Sequence, residues 1–161
     1  MPIAMFRIDD RLVHGQVVEG WIPHLKAAEV VVVSDAAAED ETQSLLMRIA
    51  LPDHVALKVL RLEEAAAYLP SCGAKPHPVL VLVPGPRPLL GLLDRGVSVK
   101  TVNVGGMHYS AGKIQLGKAI FLSDEDRSAL SEIGRRGVLL EGRAVPGESA
   151  SDLLKLLGAG K

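Results

Sequence analysis

Two segments of the chain are hydrophobic without interruption. Four valines run from Val30 to Val33, and the sequence VLVLV occupies Val79–Val83. A strand with one face in water alternates apolar and polar residues, so unbroken apolar runs are typical of parallel strands covered on both faces. With five further apolar runs they make seven predicted strands: Ile3–Ile8, Glu29–Ser34, Val55–Leu60, Pro78–Val83, Thr101–Val104, Lys118–Leu122 and Val138–Arg143.

Segments with helical character separate these strands. Ser123 with a carboxylate at Asp126 is typical of a helix start, while Gly96 and Gly137 each follow a basic residue where a helix is expected to end. The predicted helices are Gly15–Lys26, Ala37–Ala50, Leu62–Tyr68, Pro88–Arg95, Asp124–Arg136 and Ala150–Leu157. This alternation predicts an α/β fold: a single doubly wound domain over residues 1–161, with a mainly parallel central sheet of about seven strands flanked by helices.

Composition narrows the class of protein. The 161 residues carry a net charge of −1, so no strong positive field favours nucleic acid, and we expect no nucleic-acid partner. A single cysteine, Cys72, excludes an internal disulfide and favours a reducing compartment. The chain has neither a signal-peptide pattern nor an apolar run of the roughly 20 residues that a membrane span needs. A cytoplasmic location is therefore expected.

The most unusual segment is RIDDRLVHGQVVEGW, Arg7–Trp21, where the first predicted strand meets the first predicted helix. In doubly wound folds, sites form at the carboxyl ends of strands, which is where this loop lies. A neutral imidazole at His14 can attack phosphorus, and a helix start offers unpaired N–H groups to a phosphoryl group. Arg11 can add a charge-assisted contact, and Gly15 allows close backbone approach. The loop is thus a candidate phosphohistidine site.

Other interpretations of the same residues remain open. Asp9 or Asp10 can orient the arginine or the imidazole, but either can equally cap the helix. The charges can also form no more than a solvated loop with weak local ion pairs. His108, in the glycine-rich segment NVGGMHYSAGK, is a lesser candidate for the site, and the remaining histidines are assigned structural or exposed positions.

Several alternative chemistries lack their sequence patterns. The chain contains no G-x-x-x-x-G-K-[ST] phosphate loop and no G-x-G-x-x-G opening its first helix, which argues against nucleotide-dependent activity. It has no H-x-x-H or H-E-x-x-H spacing for a metal, and no visible base beside its cysteine or serines. We therefore predict no cofactor and no metal.

The segment FRIDDRLVHGQVVEGW resembles the active-site segment of the enzyme IIB component of the mannose/fructose/sorbose class of the sugar phosphotransferase system (PTS). The resemblance covers essentially the whole chain, because three further segments are similar to later parts of that family: VVVVSDAAAEDETQSLLMRIALP, VKTVNVGGMHYSAGKIQLGKAIFLSDED and GVLLEGRAVPGESASDLLKLL.

The resemblance implies a cytoplasmic protein-Nπ-phosphohistidine–sugar phosphotransferase. Its His14 would take a phosphoryl group from a phosphohistidine on a IIA partner and pass it to a sugar held by the membrane IIC and IID permease subunits. The chain would thus associate transiently with the inner face of the membrane. Arg11 matches the family's phosphoryl-contacting arginine, and supporting roles fall to Arg7, Asp10, Gly15 and Gln16.

The resemblance leaves several questions open. A regulatory phosphoprotein of the same fold, whose His14 phosphorylation controls a partner without sugar transport, needs the same loop. The sugar, the phosphorylated imidazole nitrogen and the oligomeric state, including a homodimer, are not specified. The segment Pro84–Pro88 is richer in proline than the family's usual passage, which either alters partner specificity or is neutral.

Overall fold

The computed structural model describes residues 2–117 and 119–159. The strands are β1 Ile3–Asp9, β2 Glu29–Val33, β3 Ala56–Leu60, β4 Val79–Val83, β5 Thr101–Gly106, β6 Ile114–Gly117, β7 Ile120–Leu122, β8 Leu139–Gly142 and β9 Ser151–Asp152. The α-helices are α1 Ile22–Leu25, α2 Asp35–Glu39, α3 Glu41–Ala50, α4 Leu62–Tyr68, α5 Pro86–Asp94, α6 Asp124–Arg135 and α7 Leu153–Ala159. A π-helical segment, Gln16–Trp21, precedes α1, and a 3₁₀ segment, Leu69–Ala74, follows α4.

The central sheet has seven strands in the order β3-β2-β4-β1-β5-β8-β9. All neighbouring pairs from β3 to β8 are parallel, and only the short β9 runs antiparallel, on β8. The two unbroken apolar segments form β2 and β4, which lie side by side and are buried at every position. The predicted fold, one doubly wound α/β domain with a mainly parallel sheet, is confirmed.

Successive side chains of β2 and β4 pack into two separate apolar layers, one on each face of the sheet. Val31 and Val81 pack with α4, α5, α6 and α7 on one face of the sheet. Val32 and Leu82 pack on the other face with the π-helical segment, α1, α2 and α3. Because a strand's side chains alternate between faces, continuous apolar sequence is what a sheet between two helical layers requires.

This topology creates a crevice at the carboxyl end of β1. The chain leaves β1 toward the face covered by the π-helical segment, whereas the connections after its neighbours β4 and β5 lead to helices on the opposite face. Diverging connections on adjacent parallel strands open the space in which ligands of such folds bind. The loop that follows Asp9 lies in this position.

The predicted strand Lys118–Leu122 does not belong to the central sheet. Residues Ile120–Leu122 form β7, which pairs antiparallel with β6 in a separate two-stranded hairpin, and Lys118 lies outside the described residues. The apolar character of a short segment indicates a strand but does not indicate which strand it pairs with. The prediction that this segment joins the central sheet was therefore wrong. The seventh strand of the sheet is instead β9, at the start of the predicted helix Ala150–Leu157, which therefore begins only at Leu153.

Three helix boundaries also differ from prediction. The predicted helix Ala37–Ala50 is split at Asp40, whose extended backbone ends α2 and whose carboxylate caps α3 by accepting a bond from the Gln43 amide at 3.0 Å. Aspartate favours this local bond over a helix interior. The predicted helix Gly15–Lys26 begins with a π-helical segment, and α5 begins two residues early, at Pro86, since proline is well tolerated in a first helical turn.

Candidate functional site

The loop after β1 turns back on the strand that precedes it. Leu12 has a positive φ of 57°, unusual for a leucine, and its amide donates to the Asp9 carbonyl at 3.0 Å. The Leu12 side chain is buried in the apolar layer beneath the loop, which holds this turn. As a result, His14 returns to the end of β1 and its ring faces Asp9.

Asp9 is the centre of the site. Its fully buried carboxylate contacts the Arg7 guanidinium and His14 Nε2 through Oδ2, each at 3.0 Å, and accepts a bond from the Arg11 amide on Oδ1 at 3.1 Å. Burial by itself raises the pKa of Asp9, but the hydrogen bond from His14 and the charges of His14 and Arg7 outweigh it. The net pKa lies below the usual value, so the carboxylate is ionised at neutral pH.

Arg7 lies beneath this carboxylate rather than at the surface. Its side chain is fully buried and donates to Asn103 Oδ1 and to the carbonyls of Arg143 and Ala144, the latter two at 3.0 Å. The guanidinium also lies 5.2 Å from the centre of the Trp21 ring. Burial lowers the pKa of Arg7 and the charge of Asp9 offsets part of this effect, but an arginine stays charged in a protein. Arg7 is therefore the buried counter-charge of Asp9.

Arg11 and His14 lie on the solvent side of the same carboxylate. The Arg11 side chain is 47% exposed, with Nε 4.0 Å from Asp9 Oδ1 and Nη2 3.3 Å from Gln16 Oε1. The His14 side chain is 13% exposed. An exposed cation and a hydrogen-bonded imidazole thus share one carboxylate, and Gln16 contacts that cation rather than the ring.

Gly15 has ordinary helical backbone angles, φ −51° and ψ −48°, so no positive φ requires a glycine there. A Cβ at this position would meet no heavy atom within 4 Å among the residues that the structure describes. The space around the Gly15 Cα, one residue after His14, is therefore open.

Asp10 contacts a second loop of the molecule. Its carboxylate accepts a bond from the backbone amide of His108 at 2.7 Å and contacts His108 Nδ1, in the loop after β5. This carboxylate makes no direct contact with Arg11 or His14 among the described hydrogen bonds, and of the two aspartates it is Asp9 that holds the imidazole. One feature of the sequence favours Asp9 over Asp10 as the partner of Arg7. Arg7 and Asp9 are two positions apart on a strand, so their side chains lie on the same face.

Buried Asn103 also belongs to the site, although sequence reasoning did not select it. It accepts from Arg7, and its Nδ2 donates to Glu141 at 3.2 Å, which links β1 to β5 and β8. Among residues 2–117 and 119–159, no cluster of three or more His, Cys, Asp or Glu side chains is arranged to hold a metal ion. In the same part of the chain, no helix has the length and apolar character to cross a membrane.

Comparison with known proteins adds the identity of the family. The family model described as "PTS system sorbose subfamily IIB component" matches residues 3–161. The fructose-specific EIIB component of Bacillus subtilis (strain 168) is 32% identical, with 98% of this chain and 96% of the relative covered. The mannose-specific EIIAB component of Escherichia coli (strain K12) is 31% identical over 98% of this chain, which spans 49% of that longer relative.

A solved structure agrees with these sequence relatives. The crystal structure of the IIBSor domain of the sorbose permease from Klebsiella pneumoniae superposes with a TM-score of 0.92 at 33% identity, covering 100% of this chain and 99% of that chain. Family model, relatives and fold agree over nearly the full length. The chain therefore belongs to the IIB components of the sorbose subfamily of the sugar phosphotransferase system, a family of phosphotransferases.

Proposed function

We propose that this chain, acting as one domain, carries a phosphoryl group on His14 during sugar uptake. The group comes from a phosphohistidine of a IIA partner and goes to a sugar bound by the IIC and IID subunits of a membrane permease. The observation that carries the proposal is the contact of His14 Nε2 with Asp9, which leaves Nδ1 of the same ring as the nitrogen available for reaction.

The direction of this hydrogen bond follows from the charges. An ionised Asp9 only accepts, so Nε2 carries a proton, and in the neutral ring that attacks phosphorus the lone pair lies on Nδ1. In the transfer, a bond forms between Nδ1 and phosphorus while the nitrogen–phosphorus bond of the donor histidine breaks. The His14 ring keeps its Nε2 proton and becomes cationic, and the buried carboxylate stabilises that charge.

Arg11 supplies the complementary interaction with the phosphoryl oxygens. It is exposed and bound only weakly to Gln16, so its guanidinium is free to turn toward a phosphoryl group on His14. Within the described residues, no backbone carbonyl accepts from the amides of Val13 or His14, which leaves them for phosphoryl oxygens.

The relatives support the choice of partners. One is named an EIIAB component, with A and B parts in a single protein, and a matching solved domain is described as part of a sorbose permease. The proposal places this chain in the cytoplasm, with transient contact at the inner face of the membrane through the permease. The relatives are named for different sugars, so the proposal names a sugar as the acceptor without specifying which one.

Labelling with a phosphorylated IIA protein tests the proposal. We expect one acid-labile phosphoryl group on Nδ1 of His14, identified by peptide mapping and by the nitrogen chemical shifts of the labelled ring. The label should be absent from His14→Ala and present in the control His54→Ala, which removes an exposed histidine before β3. Label that persists at full level in His14→Ala would overturn the proposal.

A further inference from the structure

The loop that carries His14 is tied to a second loop, 98 positions away in the sequence. The Asp10 amide donates to the Gly106 carbonyl at 3.0 Å. In return, the Asp10 carboxylate accepts from the His108 amide at 2.7 Å and contacts the Nδ1 atom of the His108 ring. Asp10 is thus held through both its backbone and its side chain.

We propose that His108 is a positioning residue for phosphoryl transfer, acting through Asp10 on the segment that presents Arg11 and His14. The inference rests on the function proposed above and adds a residue that neither the family relationship nor the contacts of His14 assign. In this positioning role, the His108 ring contacts neither the phosphoryl group nor the reacting nitrogen of His14.

The carrier loop needs an anchor at this position. Leu12, two residues after Asp10, holds a left-handed conformation that costs free energy and persists only when its surroundings hold it. Arg11, between them, has an exposed side chain with long contacts to Gln16 Oε1 and Asp9 Oδ1. The Asp10 bonds therefore hold the backbone immediately before Arg11, in addition to the bond from the Arg11 amide to Asp9 Oδ1.

The neighbouring loop is built to bring the His108 ring to this place. A Cβ on Gly106 would lie 3.4 Å from Cε1 of His108 and 3.3 Å from Oδ1 of Asp9, so a glycine allows both groups to approach the same backbone. The His108 side chain is 49% exposed, and Lys113 Nζ donates to the His108 carbonyl at 3.3 Å. Removal of the ring therefore leaves the apolar core intact.

The experiment compares three variants with the parent protein in single-turnover transfer from phosphorylated IIA. His108→Ala removes the ring donor but keeps the backbone bond to Asp10. His108→Asn places an amide N–H near the position of Nδ1, so it can restore the bond. His54→Ala controls for the loss of an exposed imidazole elsewhere.

We expect His108→Ala to lower the maximal rate about five-fold, the equivalent of one lost hydrogen bond, at an unchanged half-saturating donor concentration. His108→Asn should recover the parent rate to within about two-fold, and His54→Ala should equal the parent. His108→Ala should add nothing to Asp10→Asn, because both act through one contact. A change confined to the half-saturating concentration, or an Asn variant as slow as Ala, overturns the proposal.

Amide hydrogen exchange provides a readout that does not need activity. Exchange of residues 10–15 should accelerate in His108→Ala and stay at the parent level in His108→Asn and His54→Ala. Unchanged exchange in His108→Ala overturns the positioning role. If the loop responds as expected but the parent protein accepts no phosphoryl group, the proposed function fails and the anchoring role stands.

Discussion

At the scale of the residue, burial separates two arginines that lie four positions apart. The Arg7 side chain is 0% exposed and neutralises Asp9, whereas the Arg11 side chain is 47% exposed and comes no closer than 4.0 Å to the same carboxylate. A buried cation paired with a buried carboxylate is costly to remove, because its partner is left uncompensated. An exposed arginine contributes little to stability.

We expect Arg7→Met to lower the free energy of unfolding by about 3–5 kcal/mol, and Arg11→Ala to lower it by less than about 1 kcal/mol. Arg11→Ala should instead slow phosphoryl transfer about ten-fold or more, because it removes charge stabilisation of the phosphoryl oxygens. Denaturant titration measures the first quantity, and single-turnover transfer the second. Arg135→Ala, which removes an exposed arginine at the end of α6, is the control. A large loss of stability in Arg11→Ala with normal transfer would contradict this division of roles.

At the scale of the element, two positions near the site differ in whether they need a glycine. Gly105 lies in β5, where a Cβ would overlap the Arg7 guanidinium, while Gly15 opens into free space at the start of the π-helical segment. Arg7 cannot move aside easily, because Asn103, Asp9 and two backbone carbonyls hold it. The strand therefore needs a glycine for packing, whereas the loop does not.

We expect Gly105→Ala to destabilise the fold by about 2–3 kcal/mol or more through overpacking. Gly15→Ala should leave the free energy of unfolding within about 1 kcal/mol of the parent, since its backbone is already helical. Gly15→Ala should nevertheless slow transfer, because its methyl group enters the open space one residue after His14, where we expect the phosphoryl donor to approach. Thermal unfolding and transfer assays on the two variants check both expectations. Equal stability in the pair would argue against the close packing of Gly105 on Arg7.

At the scale of the whole molecule, the amino ends and the carboxyl ends of the parallel strands each hold one buried, paired carboxylate among the described residues, Glu29 and Asp9. Glu29, at the start of β2, accepts from Tyr68 Oη at 2.6 Å and from Lys75 Nζ at 2.8 Å. Burial raises the pKa of Glu29, but the bonds from Lys75 and Tyr68 outweigh it and the net pKa is lowered, as for Asp9. Glu29 is in register with Ile3, so six residues of strand, about 20 Å, separate the two carboxylates.

A carboxylate with a lowered pKa stabilises the fold above its unfolded pKa, about 4, and that stability is lost as the pH falls through the folded pKa. We therefore expect the free energy of unfolding to fall below about pH 4, and to fall less steeply in Asp9→Asn and Glu29→Gln. At pH 7 the two losses should add, because the sites are far apart. Only Asp9→Asn should change phosphoryl transfer. Non-additive losses of unfolding free energy in the double variant would indicate that the Asp9 and Glu29 sites are coupled.

The sequence predicted well where one residue type has one dominant preference. The valine runs of β2 and β4, the Ser123–Asp126 capping pair of α6 and the left-handed Gly96 and Gly137 were all found as expected. Prediction from the sequence was wrong where local and long-range interactions compete. Asp40 interrupts a predicted helix by capping the next one, and Ile120–Leu122 pairs in a hairpin instead of the central sheet.

For the site, the sequence by itself determined where the charged loop lies and which chemistry we propose for it. A buried strand followed by charges, His14 and a helix start predicts a nucleophile at the carboxyl end of a strand, and this prediction depends only on residue order. Tertiary structure alone decided that Asp9 holds His14, that Arg7 is buried and that Asp10 binds His108. Asp9 meets His14 because the turn at Leu12 brings the ring back to the strand. The partners of Arg7 and Asp10 come from β5 and from the segments that follow β5 and β8, about 100 to 140 positions away, and only the order of strands in the sheet brings them to the end of β1.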